Sequence, residues 1–114
     1  MNPNELASEK SSKSPDFSFY NVSSQVGLEQ VFGSRGKVRI LKLLATKGEL
    51  NISKIAELSR LNHISTRKHL DLFLKANIVK KKVFGRVKVF RFCMENLKAR
   101  AIKSLFEQWN NSKR

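Results

Sequence analysis

Residues 53–76 read SKIAELSRLNHISTRKHLDLFLKA, and no other part of the sequence indicates the fold as clearly. Ser53 is a suitable N-cap for a helix over 54–59, because its hydroxyl can accept a bond from a free amide of the first turn. After a tight connection, Asn62 can cap a second helix that runs to about Ala76. The residues expected to face inward are Ile55, Ala56, Leu58, Thr66, Leu70, Phe73 and Leu74. The stretch therefore predicts two helices joined by a tight turn.

Two helices and a short strand are expected before this pair. Ser34 is a good N-cap for a helix over 35–47, whose apolar residues recur at helical spacing, and Gly48 is a plausible stop. Residues 49–52 alternate polar and apolar side chains, as a very short strand does. Further upstream, residues 24–32 read as a short helix.

A β-hairpin and a last helix are expected after the pair. Residues 78–84 and 87–93 are rich in β-branched and aromatic side chains, and Gly85-Arg86 between them favours a type II′ turn. Asn77 suits the left-handed residue that ends the preceding helix, and Asn96 can cap the final one. The predicted class is mainly α with a small β-hairpin, an α+β fold.

The charge of the chain is strongly unbalanced. Its 114 residues contain 23 Lys and Arg against 9 Asp and Glu, a formal net charge of +14. Such a protein repels copies of itself and attracts polyanions, chiefly nucleic acid or anionic membrane. The sequence shows neither a long apolar span nor a lipidation motif, so no membrane partner is expected.

The second helix of the pair has an exposed face that suits DNA. Arg67 can form two hydrogen bonds with guanine, and Ser65 can bind bases or phosphates. Lys68 and Lys75 suit phosphates. The DNA-binding residues expected on this helix are His63, Ser65, Arg67, Lys68 and Lys75. An ordinary solvated helix face is the alternative.

The hairpin is the most basic segment. Residues 80–91 contain no acidic side chain, and Arg86 lies at the tip. Lysines on edge strands also prevent aggregation, which explains one or two of these charges but not the lack of acids. Residues 60–91 carry ten basic side chains and one acid, a net charge of +9, as expected of a duplex-binding surface. The contacts expected from the hairpin are Lys80, Lys81, Lys82, Arg86 and Lys88.

Several segments resemble the winged helix-turn-helix regulators of the ArsR-like group of prokaryotes, especially archaea. Residues 32–44, FGSRGKVRILKLL, resemble the opening of that group, and residues 55–59, IAELS, resemble its second helix. Residues 65–70, STRKHL, followed by 74–79, LKANIV, resemble its recognition helix, with Asn77 where the group usually has glycine. The resemblance covers roughly residues 31–92. It implies a winged helix-turn-helix fold and a homodimer on a near-palindromic site.

No metal, cofactor or enzymatic activity is expected. The resemblance permits metal sensing, but metal-binding members use paired cysteines on the recognition helix, which this chain lacks there. His63 and His69 are six residues apart and do not share a helical face. Two histidines and few carboxylates leave little material for acid–base chemistry. No small-molecule ligand is evident either.

The last helix, from Glu95 to about Asn111, is richer in apolar residues than one contact surface requires. Part of it is expected to meet a second subunit, and packing onto the first helix of its own chain is the alternative. The predicted dimer-interface residues are Leu97, Ala101, Ile102, Leu105, Phe106 and Trp109.

The predicted organisation has four parts. Residues 1–16 form a disordered tail of net charge −1, unsuited to be a DNA-binding arm. Residues 17–33 are an extension with an apolar cluster and a short helix, 34–93 are the winged helix-turn-helix domain, and 94–114 are a C-terminal dimerisation helix. The single cysteine, Cys93, indicates a reducing compartment. Because Met1 is also not followed by a secretory signal, we expect a cytoplasmic, nucleoid-associated protein.

The sequence thus predicts a sequence-specific regulator of transcription that binds double-stranded DNA as a homodimer. The alternative is an architectural chromatin protein that uses the same surface with little sequence preference. A winged helix used for protein–protein contact is a third hypothesis, which the charge of +9 disfavours.

Overall fold

The computed structural model describes residues 26–112. Its elements in chain order are α1 (Leu28–Val31), α2 (Arg35–Lys47), β1 (Glu49–Asn51), α3 (Ile52–Ser59), α4 (His63–Lys75), β2 (Val79–Phe84), β3 (Val87–Phe92) and α5 (Leu97–Asn111). This order and the α+β class confirm the prediction from the sequence. The predicted tail and the apolar cluster at residues 17–22 lie outside the described residues.

The three strands form one antiparallel sheet in the order β1-β3-β2. β3 lies in the middle, with Leu50 of β1 opposite Phe90 and Val79 of β2 opposite Phe92. At the end of the hairpin Gly85 has a φ of +60°, and Arg86 has no positive φ. A type II′ turn requires this combination, which glycine adopts without steric cost.

The core lies between α2, α3, α4, α5 and one face of the sheet. Its side chains come from every one of these elements, because each presents one apolar face and leaves the other to solvent. The buried apolar residues include Ile40, Leu41, Leu44, Ile55, Leu70, Phe73, Val79, Phe90, Phe92, Ala99 and Ile102. Of the predicted inward residues, Thr66 is also fully buried and Leu74 is half-buried.

The start of α3 differs from the prediction. The cap is Asn51, whose Oδ1 accepts a bond from the Lys54 amide at 2.8 Å, and not Ser53, which lies inside the first turn. Leu58, predicted to face inward, is exposed. Ser59 is buried in its place, one turn beyond Ile55, and its hydroxyl donates to the Ile55 carbonyl at 2.6 Å. Helix α3 therefore packs against the core with the face that carries Ile55 and Ser59, and Leu58 lies on the exposed face.

Replacing Asn51 with alanine is expected to lower the free energy of unfolding by about 1 kcal/mol, because one amide of the first turn loses its acceptor. Ser53→Ala, the matched control, is expected to change it by less than about 0.5 kcal/mol. Urea denaturation followed by circular dichroism measures both. A larger loss for Ser53→Ala than for Asn51→Ala would contradict the observed cap.

Left-handed residues end both helices of the central pair. Arg60 after α3 and Asn77 after α4 each have a φ of +60°. In each case the next amide reaches back to the helix: Leu61 N lies 3.1 Å from the Ala56 carbonyl oxygen, and Ile78 N lies 3.0 Å from that of Phe73. Each of these bonds, next to a left-handed residue, belongs to a Schellman motif. They fix the turn from α3 into α4 and the turn from α4 into β2.

Candidate nucleic-acid interface

Helix α4 is held firmly at both ends. At its start, Asn62 Oδ1 accepts a bond from the Ser65 amide at 2.7 Å, and the Asn62 carbonyl accepts one from Thr66 Oγ1 at 2.8 Å. At its end, the carbonyl of Asn77 accepts a bond from Asn96 Nδ2 at 2.8 Å, which links the helix to the start of α5. Thr66, Leu70 and Phe73 are buried along the inner face. The opposite face is therefore presented to solvent in a fixed orientation.

The exposed face of α4 carries most of the residues predicted for it. His63, Arg67, Lys68 and Lys75 are exposed, and Ser65 is half-buried. The structure adds Ile64, which was not among the predicted site residues and has 74% of its side chain surface exposed. The available signal was an aliphatic residue in the first turn, outside the inward spacing. An apolar group here suits the methyl group of thymine, the apolar feature of the major groove.

His69 lies on the flank of α4 and contacts α2. A Cβ added at Gly36 would lie 3.1 Å from His69 Nε2 and 3.2 Å from Leu61 Cδ1, so glycine permits the close approach of the two helices. Burial, followed by the charges of Lys37 and Lys68, lowers the pKa of His69. The imidazole is therefore neutral at pH 7 and adds no positive charge to the surface beside it.

The hairpin extends beyond the core. Phe90, opposite Lys81, is the buried residue nearest the turn, and three further residue pairs lead to Phe84 opposite Val87. At about 3.3 Å per residue, the tip projects about 10 Å past this point. The exposed cations of the whole hairpin are Lys81, Lys82, Arg86 and Lys88.

The basic residues of helix and hairpin lie on neighbouring elements. Helix α4 packs against β2 and continues into it through Asn77. We define the basic surface as Arg67, Lys68, Lys75, Lys81, Lys82, Arg86 and Lys88. The ion pairs found within residues 26–112 involve none of these cations. Asp71 is the one acid on α4, so the surface keeps a high positive charge.

The residues predicted for the dimer interface divide between two faces of α5. Ile102 is buried in the chain's own core, and Phe106 packs on Phe32 with ring centroids 6.3 Å apart. These two serve the packing of α5 onto its own chain, mainly onto α2. The other four are exposed and lie one turn apart along a single stripe: Leu97, Ala101, Leu105 and Trp109.

An apolar cleft adjoins this stripe. It has a volume of about 470 Å³ and lies between α1, the end of α4 and α5. Val26, Leu28, Ile78 and Ala101 are among the residues that line it, and Leu28 is itself exposed. We define the apolar face as Leu28, Leu97, Ala101, Leu105 and Trp109. The residues of the apolar face lie on α1 and α5, which contribute nothing to the basic surface. The floor of the cleft includes the end of α4, which carries part of the basic surface.

Two solved structures have a similar fold. One is a homodimeric winged helix-turn-helix DNA-binding domain from Mycobacterium bovis, described as a possible ArsR-family transcriptional regulator. It is 19% identical, with a TM-score of 0.64 over 94% of this chain and 89% of that one. The other is a MarR family transcriptional regulator from Silicibacter pomeroyi, 16% identical, with a TM-score of 0.58 over 84% of this chain and 70% of that one.

The chain has a winged helix-turn-helix fold. This confirms the fold that the resemblance implied. Neither a family model nor a curated protein matches the sequence. Helices α3 and α4 form the helix-turn-helix of this fold, α4 takes the position called the recognition helix, and the β2–β3 hairpin takes the position called the wing.

At the base of the wing, one predicted DNA contact is already paired. Lys80 is half-buried, and its Nζ lies 2.8 Å from Glu95 Oε2. The bond from Lys80, followed by a backbone amide and the Cys93 thiol, lowers the pKa of Glu95 to about 2. Glu95 therefore stays ionised at neutral pH, and the pair joins the wing to the segment before α5. Part of the charge of Lys80 is therefore already balanced by this carboxylate.

Residues 26–112 show neither a metal-binding cluster nor a membrane-spanning helix. They contain no group of three or more His, Cys, Asp and Glu side chains placed to hold a metal ion. None of their helices combines the length and the apolar character that crossing a membrane requires.

Proposed function

We propose that this protein regulates transcription by binding double-stranded DNA with sequence preference, as a homodimer and without a catalytic step. The observation that carries the proposal is the basic surface, which joins the exposed face of a firmly held recognition helix to a projecting wing. The descriptions of the two similar structures support it, since one is a MarR family transcriptional regulator and the other is a homodimeric DNA-binding domain described as a possible regulator. The function requires access to the chromosome, in keeping with a cytoplasmic, nucleoid-associated location.

The residues take two kinds of role in this proposal. His63, Ile64, Ser65 and Arg67 lie in the first turns of the recognition helix, where a helix in the major groove meets base edges. The remaining cations bind phosphates, which fix the position of the protein on the duplex but carry no sequence information. These are Lys68, Lys75, Lys81, Lys82, Arg86 and Lys88.

Arg67→Ala is expected to weaken binding to the preferred site by about 1–3 kcal/mol and to relax discrimination there. Arg86→Ala is expected to weaken binding to all sequences alike and to lower the salt slope by about one unit, since one phosphate contact is lost. Fluorescence anisotropy with selected and random duplexes, across several salt concentrations, measures both. Both side chains are exposed, so neither change disturbs the core.

The same titrations separate the regulator from the architectural alternative. A specific regulator prefers its selected site by about 10³-fold or more over random duplex. Nearly equal affinities with a steep salt slope, or equal losses on both duplexes for Arg67→Ala, would favour the architectural protein.

A further inference from the structure

The tip of the wing is apolar as well as basic. Val83, Phe84 and Val87 flank the turn, and their exposed fractions are 58%, 59% and 47%. Side chains of this kind belong to the core in most proteins, and a cluster of them on an exposed strand end favours aggregation. Phe84, the largest of them, lies at the projecting end of the hairpin and therefore indicates a contact surface there.

The strand register shows on which face of the hairpin each of these side chains lies. Phe84 and Val87 form the last pair before the turn, so they lie side by side on one face of the hairpin. Val83, opposite Lys88, lies on the other face, because successive side chains of a strand alternate. Phe84 is thus the large side chain immediately beside Gly85, at the end of an arm about 10 Å long. This arm is longer than the minor groove is deep, which is about 7.5 Å.

The charges around the tip identify the partner. Lys82, Arg86 and Lys88 surround the apolar side chains, and all are exposed. A second copy of the tip is a poor partner, because like charges would be brought together. A duplex offers phosphates to the cations and an apolar base stack to the phenyl ring. It is favoured over an anionic membrane because the basic surface continues from the wing onto the recognition helix.

We propose that the wing bends the DNA, with Arg86 on a phosphate beside the minor groove and Phe84 as a wedge between two base pairs. This inference rests on the proposed DNA binding and adds a mechanical activity to it. Apolar wedges of this kind unstack one base step and kink the duplex by about 20–90° toward the major groove. Flexible pyrimidine–purine steps under the wing are then preferred, although no side chain reads their edges.

The test is the end-to-end distance of a selected duplex, labelled with a donor and an acceptor dye and saturated with the full-length protein. Wild type and Phe84→Leu are expected to raise energy transfer, because both keep an apolar wedge. Phe84→Ala is expected to bind with the energy transfer of the free duplex. Val83→Ala, on the opposite face, is the matched control and is expected to bend as the wild type does.

Each outcome has a distinct meaning. Saturation by the wild type without increased energy transfer, or bending by Phe84→Ala equal to that of the wild type, would overturn the wedge but leave DNA binding intact. Absence of duplex binding by the wild type would overturn the proposed function itself. Loss of binding to phosphatidylglycerol vesicles by Phe84→Ala, with DNA bending unchanged, would assign the tip to a membrane instead.

Discussion

Leu105→Glu is expected to yield a monomer and to weaken binding to a duplex with two half-sites by about 10²–10⁴-fold. The factor arises because the second recognition helix of a dimer binds at a high effective concentration once the first is in place. The affinity for a single half-site should stay unchanged, since Leu105 lies on α5 and outside the basic surface.

The apolar face leaves large side chains exposed to solvent, and this favours a dimer. Leu97, Leu105 and Trp109 are large and exposed along one stripe, and Ala101 joins the stripe to the cleft beside Leu28. Burial of apolar surface contributes about 25 cal/mol per Å², which must exceed the repulsion between two chains of net charge +14. Salt screens that repulsion, so dimerisation should strengthen with ionic strength while DNA binding weakens.

Sedimentation equilibrium at micromolar concentration measures the oligomeric state, and anisotropy with one-site and two-site duplexes measures the affinities. Asn111→Glu is the control, because it adds the same charge to an exposed position of α5 away from the stripe. A wild-type protein that is already monomeric at this concentration would refute the homodimer.

The features that the sequence predicted well are those set by a few neighbouring residues. Ser34, Asn62 and Asn96 each cap the helix expected of them, and each accepts a bond from an amide two or three residues on. Asn77 and Gly85 adopt the positive φ that their turns require. The error at α3 has the same local origin. Both Asn51 and Ser53 are good caps, and only the end of β1 decides between them.

The features that escaped prediction depend on contacts between distant parts of the chain. Lys80 pairs with Glu95, fifteen residues later, so the acid-free sequence of the hairpin could not show that this lysine has an acidic partner. The excess of apolar residues in α5 was visible in the sequence. Which of them face the chain's own core depends on distant contacts, since Phe106 packs on Phe32 and Ile102 packs in the core. The exposed face of the recognition helix followed from periodicity, because its inward residues repeat at helical spacing.

Phe73→Ala is expected to lower the free energy of unfolding by about 3–5 kcal/mol, the usual effect of removing a fully buried phenyl ring. Phe73 has no exposed surface and lies in the last turn of the recognition helix, among the largest buried side chains. Its carbonyl also accepts the Ile78 amide that closes the helix end. The resulting cavity lies between the recognition helix and the rest of the core.

Urea denaturation at a fixed protein concentration measures the loss, since the stability of a dimer would depend on concentration. Phe84→Ala is the matched control: the same atoms are removed from a largely exposed position, and less than about 1 kcal/mol should be lost. A similar small loss for Phe73→Ala would contradict the packing of the recognition helix. Because Phe73 faces inward, the fraction of the variant that remains folded should bind a single half-site with wild-type affinity. Lower affinity in that folded fraction would mean that the core also sets the angle at which the recognition helix meets DNA.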